Sequence, residues 1–237
     1  MTRLYRKNEL TFALFSIFIY ILLFSLADIV SEKLGIIKSV TVAVGFALSA
    51  ILFLWIRKNG LNEKYGLCIH SYNKLIFFDL LLMIFLSSSN LWGGISTRYN
   101  LTETVFYMLS MVTVGFIEEV IFRGFLFKAL YRDNKKAAVI VSSVTFGIGH
   151  IVNLLNGADL GPTIVQILYA ALIGYIFTLI FIRTKSIWLC IVTHSLINML
   201  DVFSSGVIMQ GIPLLLLTSV LVIYAFAYSR MLSRNSK

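Results

Sequence analysis

Residues 114–124 read VGFIEEVIFRG, which places Glu118, Glu119 and Arg123 inside an apolar run. A charge near the centre of a bilayer costs about 2.5–3.5 kcal/mol on insertion scales. Three of them within six residues therefore need partners or a wet cavity if this run crosses a membrane. Glu119 and Arg123 are four apart, on one helix face and in the favourable Glu-first order, so they can pair. Glu118 lies about 100° around the helix from Glu119. It is five residues from Arg123, so no local cation is placed to satisfy it, and it is the carboxylate left for chemistry. Were the span to end before Glu118, the pair would be an ordinary solvated salt bridge. Against that, Val120 to Phe127 stays apolar apart from Arg123, which keeps the helix at membrane depth.

The rest of the chain agrees with a membrane setting. Its 237 residues are 59% hydrophobic and 13% charged, against about 45–50% apolar in an ordinary soluble domain. Charge-poor apolar stretches recur at Leu10–Ala27, Ser39–Ile56, Leu75–Gly93, Thr104–Leu130, Ala137–Leu155, Thr163–Ile182, Ile187–Phe203 and Val207–Ser229. Each approaches the roughly 20 residues that cross a hydrocarbon core. The expected fold is all-α: a polytopic membrane helix bundle of about eight transmembrane helices, with residues 1–237 as a single integral membrane domain in the lipid bilayer.

Charge sets the orientation. With the N-terminus inside, sixteen basic residues fall in inner segments, against Lys33, Lys38 and Arg98 in outer ones, and Arg123 lies within a span. That bias places both N-terminus and C-terminus in the cytoplasm. The net charge of +9 is thereby a topology signal and not a nucleic-acid footprint. Ser25-Leu26-Ala27 imitates a signal-peptide cleavage site, but removing the first span would leave an odd count. Cys68 and Cys190 show no metal or redox spacing. No internal repeat of the kind that marks transporters is present. The Leu61–Lys74 segment is the longest polar connection and carries no motif.

Further polar groups fall inside the later spans. Phe146 and His150 are four apart in the fifth, His194 and Asn198 four apart in the seventh, and only His70 of the three histidines lies in a loop. Either pair alone could be helix-bridging glue. Counting 1.5 Å per residue from the inner span ends puts Glu118 about 18 Å deep, His150 about 20 Å, His194 about 10 Å and Asn198 about 17 Å. All four can border one midplane cavity. A carboxylate, two imidazoles and a carboxamide supply the parts for amide hydrolysis: a general base for water and donors for an oxyanion. The chain has no His-Glu-x-x-His, Gly-x-Ser-x-Gly or Gly-x-Gly-Asp motif. Asp28, Asp79, Asn90 and Gln166 read as structural; Asp201, seven residues after His194, shares its face, and orienting that ring is the minor alternative to a structural role.

Glu118-Glu119-x-x-x-Arg123, then Phe146-x-x-x-His150, then His194-x-x-x-Asn198, in order on three spans, resembles the CAAX prenyl endopeptidase family, also called CPBP or ABI intramembrane proteases. The core of the likeness is residues 104–203. The resemblance implies an intramembrane endopeptidase with a cavity open toward the cytoplasm, acting on a membrane-associated peptide or protein. Glu118 would activate water with His150, and His194 and Asn198 would form the oxyanion site. Glu119 and Arg123 would support the site or position substrate. No cofactor is favoured, and zinc held by Glu118, His150 and His194 is the alternative. Bacterial relatives, which this compact chain is similar to, are linked to bacteriocin immunity, peptide signal processing and surface-protein regulation, so a cell-membrane protein of a bacterium is expected. An inactive immunity factor or scaffold of the same fold is the competing class.

Overall fold

The computed structural model describes residues 1–68, 76–155, 157–205 and 212–234. His70 and the start of the eighth expected span, Val207, lie outside the described residues. The helices are α1 (Thr2–Lys7), α2 (Glu9–Lys33), α3 (Ser39–Lys58), α4 (Ile76–Ser88), α5 (Leu101–Glu119), α6 (Phe127–Tyr131), α7 (Lys135–Gly149), α8 (Val152–Leu155), α9 (Leu160–Thr184), α10 (Trp188–Leu200) and α11 (Ile212–Arg234). Among the described residues no strand forms, only an isolated bridge between Ile95 and Ser204. The all-α expectation holds.

Five stretches, Glu9–Lys33, Ser39–Lys58, Leu101–Tyr131, Lys135–Leu154 and Leu160–Thr184, are long and apolar enough to cross a membrane. The third, seventh and eighth expected spans correspond to shorter apolar helices, Ile76–Leu91, Trp188–Phe203 and Leu215–Arg230. Asparagine side chains start three of the long helices. Asn8 accepts from Thr11 N, Asn134 accepts from Ala137 N, and Asn100 forms a capping box with Glu103. These caps satisfy amides that would otherwise lack partners at the helix ends.

The expected continuous helix over 104–130 is interrupted. Val120–Leu126 forms a π-helical turn between α5 and α6, and every residue of it is buried. A π turn lengthens the hydrogen-bond step and tends to occur at functional positions. Here its Phe122 carbonyl accepts a hydrogen bond from Ser142 Oγ at 2.8 Å. The side chain on α7 thus satisfies a carbonyl of the altered turn.

Small residues let the helices approach closely. α5 packs on α3 and α10, and α7 packs on α9. A Cβ on Gly115 would lie 2.8 Å from Ser195 N, and one on Gly147 would lie 2.6 Å from Ile167 O.

The two ends of the bundle differ. At the end carrying the N-terminus, Phe12 packs 4.9 Å from Phe125, Tyr65 5.0 Å from Phe125, and Phe127 5.9 Å from Phe181. These rings close that end. Gly66 (φ +69°) sits against the Phe181 ring and Lys185 O, where a side chain would be both strained and blocked. Beside it, burial of the Lys64 ammonium works against its charge, but hydrogen bonds to Glu9 and Tyr5 outweigh this and raise its pKa. Also near this end, Asp79 of α4 is fully buried with Arg183 of α9 and the Tyr224 and Tyr228 hydroxyls of α11. The structural reading of Asp79 is thus a three-helix tie. At the opposite end Asp28 binds Lys38 at 2.8 Å and Thr41 at 2.5 Å, and Asp201 binds Arg98 and Tyr107.

The close α5–α10 approach predicts that Gly115→Ala destabilises the purified protein by about 1–3 kcal/mol, the usual range for overpacking. Gly161→Ala, where nothing lies within 4 Å of the added methyl, should leave the thermal midpoint in detergent unchanged or raised. Equal midpoints for Gly115→Ala and wild type would show that the helices do not meet this way.

Candidate active site

The last turn of α5 and the π turn place Glu118 and Glu119 on different sides of one wall. Glu119 and Arg123 are completely buried, and Arg123 Nη1 donates to Glu119 Oε1 at 2.9 Å. The guanidinium carbon lies 4.1 Å from the Phe146 ring centroid and 5.5 Å from that of Phe177. Desolvated cation–π contact of this kind is worth about 2 kcal/mol. Gly174 leaves the room: a Cβ there would lie 3.1 Å from both Arg123 Nη2 and the Phe146 ring.

The same Glu119 Oε1 lies 2.8 Å from His194 Nδ1. A carboxylate paired with arginine only accepts, so His194 donates through Nδ1–H. This fixes the ring and aims Nε2 at Glu118, whose Oε2 is 3.6 Å away. Glu118 retains 16% side-chain exposure, and its Oε1 accepts from Tyr20 OH at 2.6 Å. The chain of contacts runs Arg123, Glu119, His194, Glu118, Tyr20, from dry interior to cavity.

The cavity has a volume of about 480 Å³. Glu118, His150, His194 and Asn198 line it, as does Tyr20; Glu119 and Arg123 do not. His150 Nδ1 lies 3.2 Å from Phe146 O and so donates to it, leaving Nε2 as the unused nitrogen. Phe146 lies edge-on to both imidazoles, 5.5 Å from His150 and 5.4 Å from His194. Asn90 Nδ2 donates to Ile197 O at 2.7 Å and holds the α10 backbone beside Asn198. Of the cavity carboxylates, Asp28 carries Lys38 and Asp201 carries Arg98. Glu118 alone has no lysine or arginine bound to it among the described residues.

Asp201 is bonded to Tyr107 and Arg98, and the carboxylate that orients His194 is Glu119. The cavity wall runs from Glu118 and His194 to Asp28, Lys38, Tyr107, Asn153, Gln166 and Asp201. These residues occupy the helix ends remote from the basic termini, and the aromatic cluster closes the other end. Tyr20 was missed altogether; a phenol ten residues into an apolar helix signals a buried partner for its hydroxyl.

Glu118, His150 and His194 do not form a three-ligand cluster, nor does any such group of His, Cys, Asp and Glu among the described residues. His150 and His194 each donate from Nδ1, to a backbone carbonyl and to a carboxylate, which leaves both Nε2 atoms free, and Glu118 and His194 are the pair that approach one another.

Residues 100–200 match the family model for "Type II CAAX prenyl endopeptidase Rce1-like" proteins. A Bacillus subtilis (strain 168) protein named "Putative membrane peptidase YdiL" is 38% identical over 92 residues, covering 38% of this chain and 33% of that relative. The matched stretch therefore spans about a third of the relative's length. No solved structure matches the chain. Through residues 100–200, the stretch that holds all three motifs, this integral membrane protein is similar to the Rce1-like CAAX prenyl endopeptidase family.

Removing one partner from a buried ion pair costs about 3–5 kcal/mol. Glu119→Ala, which strands Arg123, should lower stability by that order, with the Glu119→Leu/Arg123→Leu double variant recovering much of it. Glu118→Gln keeps an acceptor for Tyr20 and should unfold near the wild-type midpoint. Thermal unfolding in one detergent checks all three, and an unaffected Glu119→Ala protein would refute the buried pair.

Proposed function

We propose that this protein is a CAAX-type intramembrane peptidase that cleaves a membrane-associated peptide or protein with water activated by Glu118, in the cell membrane of a bacterium. The observation that carries the reading is the placement of Glu118: a partly exposed carboxylate facing the cavity, with no lysine or arginine bound to it among the described residues, next to an imidazole held by a buried carboxylate. The match of residues 100–200 to that family supports the peptidase class.

In this reading Glu118 accepts a proton from water as the oxygen adds to the scissile carbonyl, and returns it to the departing amine. Tyr20 OH steadies Oε1, which leaves Oε2 toward His194 and the incoming water. His150 borders the same space and can hold that water through Nε2. The oxyanion takes hydrogen bonds from Asn198 Nδ2 and His194. His194 already donates from Nδ1 to Glu119, so donating from Nε2 as well requires a proton on both nitrogens. Glu119 and Arg123 act from behind the wall as positioning residues: Glu119 sets the ring orientation, and Arg123 holds Glu119.

The test is cleavage of membrane-bound peptides, one with a prenylated C-terminus, by purified protein with and without a strong chelator. Glu118→Gln should lower kcat by about 10²–10⁴, as for loss of a general base. Asn198→Ala should lower it by about 10²–10³, as for loss of an oxyanion donor. Activity retained in chelator supports the glutamate mechanism, and activity lost in chelator overturns it. A Glu118→Gln protein that cleaves normally, or one that still performs the cellular role without any cleavage, would leave the immunity-factor or scaffold reading.

A further inference from the structure

We infer that the cavity takes its substrate from the extracytoplasmic side of the membrane, so that the peptide bond cleaved belongs to an exported, membrane-anchored polypeptide. The substrate class rests on the peptidase reading; the sidedness rests on charge and geometry alone. Two independent observations coincide. Sixteen of the basic residues fall in segments on the side of the termini and three on the other, a bias that fixes the termini-bearing end in the cytoplasm. The cavity wall climbs from Glu118 to Asp28, Lys38, Gln166 and Asp201, all at the end opposite those basic residues.

Among the described residues the cytoplasmic end is filled with rings: Phe12 and Tyr65 both pack on Phe125 of the π turn, Phe127 packs on Phe181, and all five are buried. A substrate arriving from that side would have to displace this packed aromatic layer and the loop that covers it. From the other side it meets polar groups that are already paired, Lys38 with Asp28, Arg98 with Asp201 and Asn153 with Gln166. That entrance is polar with its charges paired, between flanking apolar residues of α2 and α5, Phe24 and Met111. It suits an apolar segment emerging from the outer leaflet rather than a charged soluble peptide.

Cysteine accessibility tests the side without depending on catalysis. In a full-length Cys68→Ser/Cys190→Ala background, single cysteines are placed at Gln166→Cys in the cavity wall, at Leu160→Cys at the same end, and at Lys58→Cys at the opposite end. Intact cells are treated with a membrane-impermeant maleimide. The expected result is labelling of Gln166→Cys and Leu160→Cys in intact cells, and of Lys58→Cys only after permeabilisation. The reverse pattern, or labelling of all three from one side, overturns the inference. Leu160→Cys decides the outcome if Gln166→Cys fails to fold. Repeating the experiment with Glu118→Gln should leave the pattern unchanged. Loss of the peptidase reading would therefore not alter the topology result, and a wrong topology would not alter the cleavage result.

Discussion

The ion pair between Glu119 and Arg123 is the constraint around which the rest is arranged. Both side chains are completely buried in a helix that runs at membrane depth. A desolvated pair gains its Coulomb energy only where geometry is good and the remaining polar atoms are covered. Arg123 Nε and Nη2 and Glu119 Oε2 have no hydrogen-bond partner among the described residues. Phe146 and Phe177 supply ring faces for the guanidinium, Gly174 supplies the space, and His194 uses Glu119 Oε1 a second time. Changes at any of these positions act on the pair, and through it on His194.

This explains why two adjacent glutamates differ in character. Glu119 is neutralised from one side by arginine and consumed on the other by imidazole, so it holds a fixed charge in a dry place. Glu118, one residue earlier, turns outward to the cavity, where the Tyr20 hydroxyl and the far nitrogen of the same imidazole reach it. The π turn begins immediately after Glu119. It shifts the following residues so that Arg123 sits under Phe146, and the carbonyl it disturbs is met by Ser142. A local irregularity, a buried charge and an oriented histidine are one unit.

The parts legible in the sequence were those governed by helix periodicity. Four-residue spacing gave the Glu119–Arg123 pair and put His194 and Asn198 on one face, and apolar length gave the long spans. What periodicity does not encode is contact between helices. Tyr20 meets Glu118 from 98 positions away, and although a phenol in an apolar helix signals some partner, nothing local says which. Depth counting placed His194 about 8 Å shallower than Glu118, yet the two side chains are 3.6 Å apart. The reason is that α10 does not begin at a membrane surface. Ser186 and Ile187 are wholly buried, Ile187 N donates to Gly66 O, and Trp188 Nε1 donates to Leu67 O. The helix starts beneath the loop, so every depth counted from its first residue is too small.

Which end of the bundle is packed shut is illegible for a related reason. The basic residues report which end is cytoplasmic, but they say nothing about which end is sealed. Sealing depends on side-chain volume brought together from α2, the loop before α4, the π turn, α6 and α9, whose residues are far apart in sequence. Among the described residues, Phe12, Tyr65, Phe125, Phe127 and Phe181 are all buried on the side of the termini, while the polar groups that line the cavity lie toward the other end. Hydrolysis needs water at the carboxylate and the membrane end of the bundle needs apolar closure. Placing the aromatic layer at one end and the paired polar residues at the other satisfies both within a chain of 237 residues.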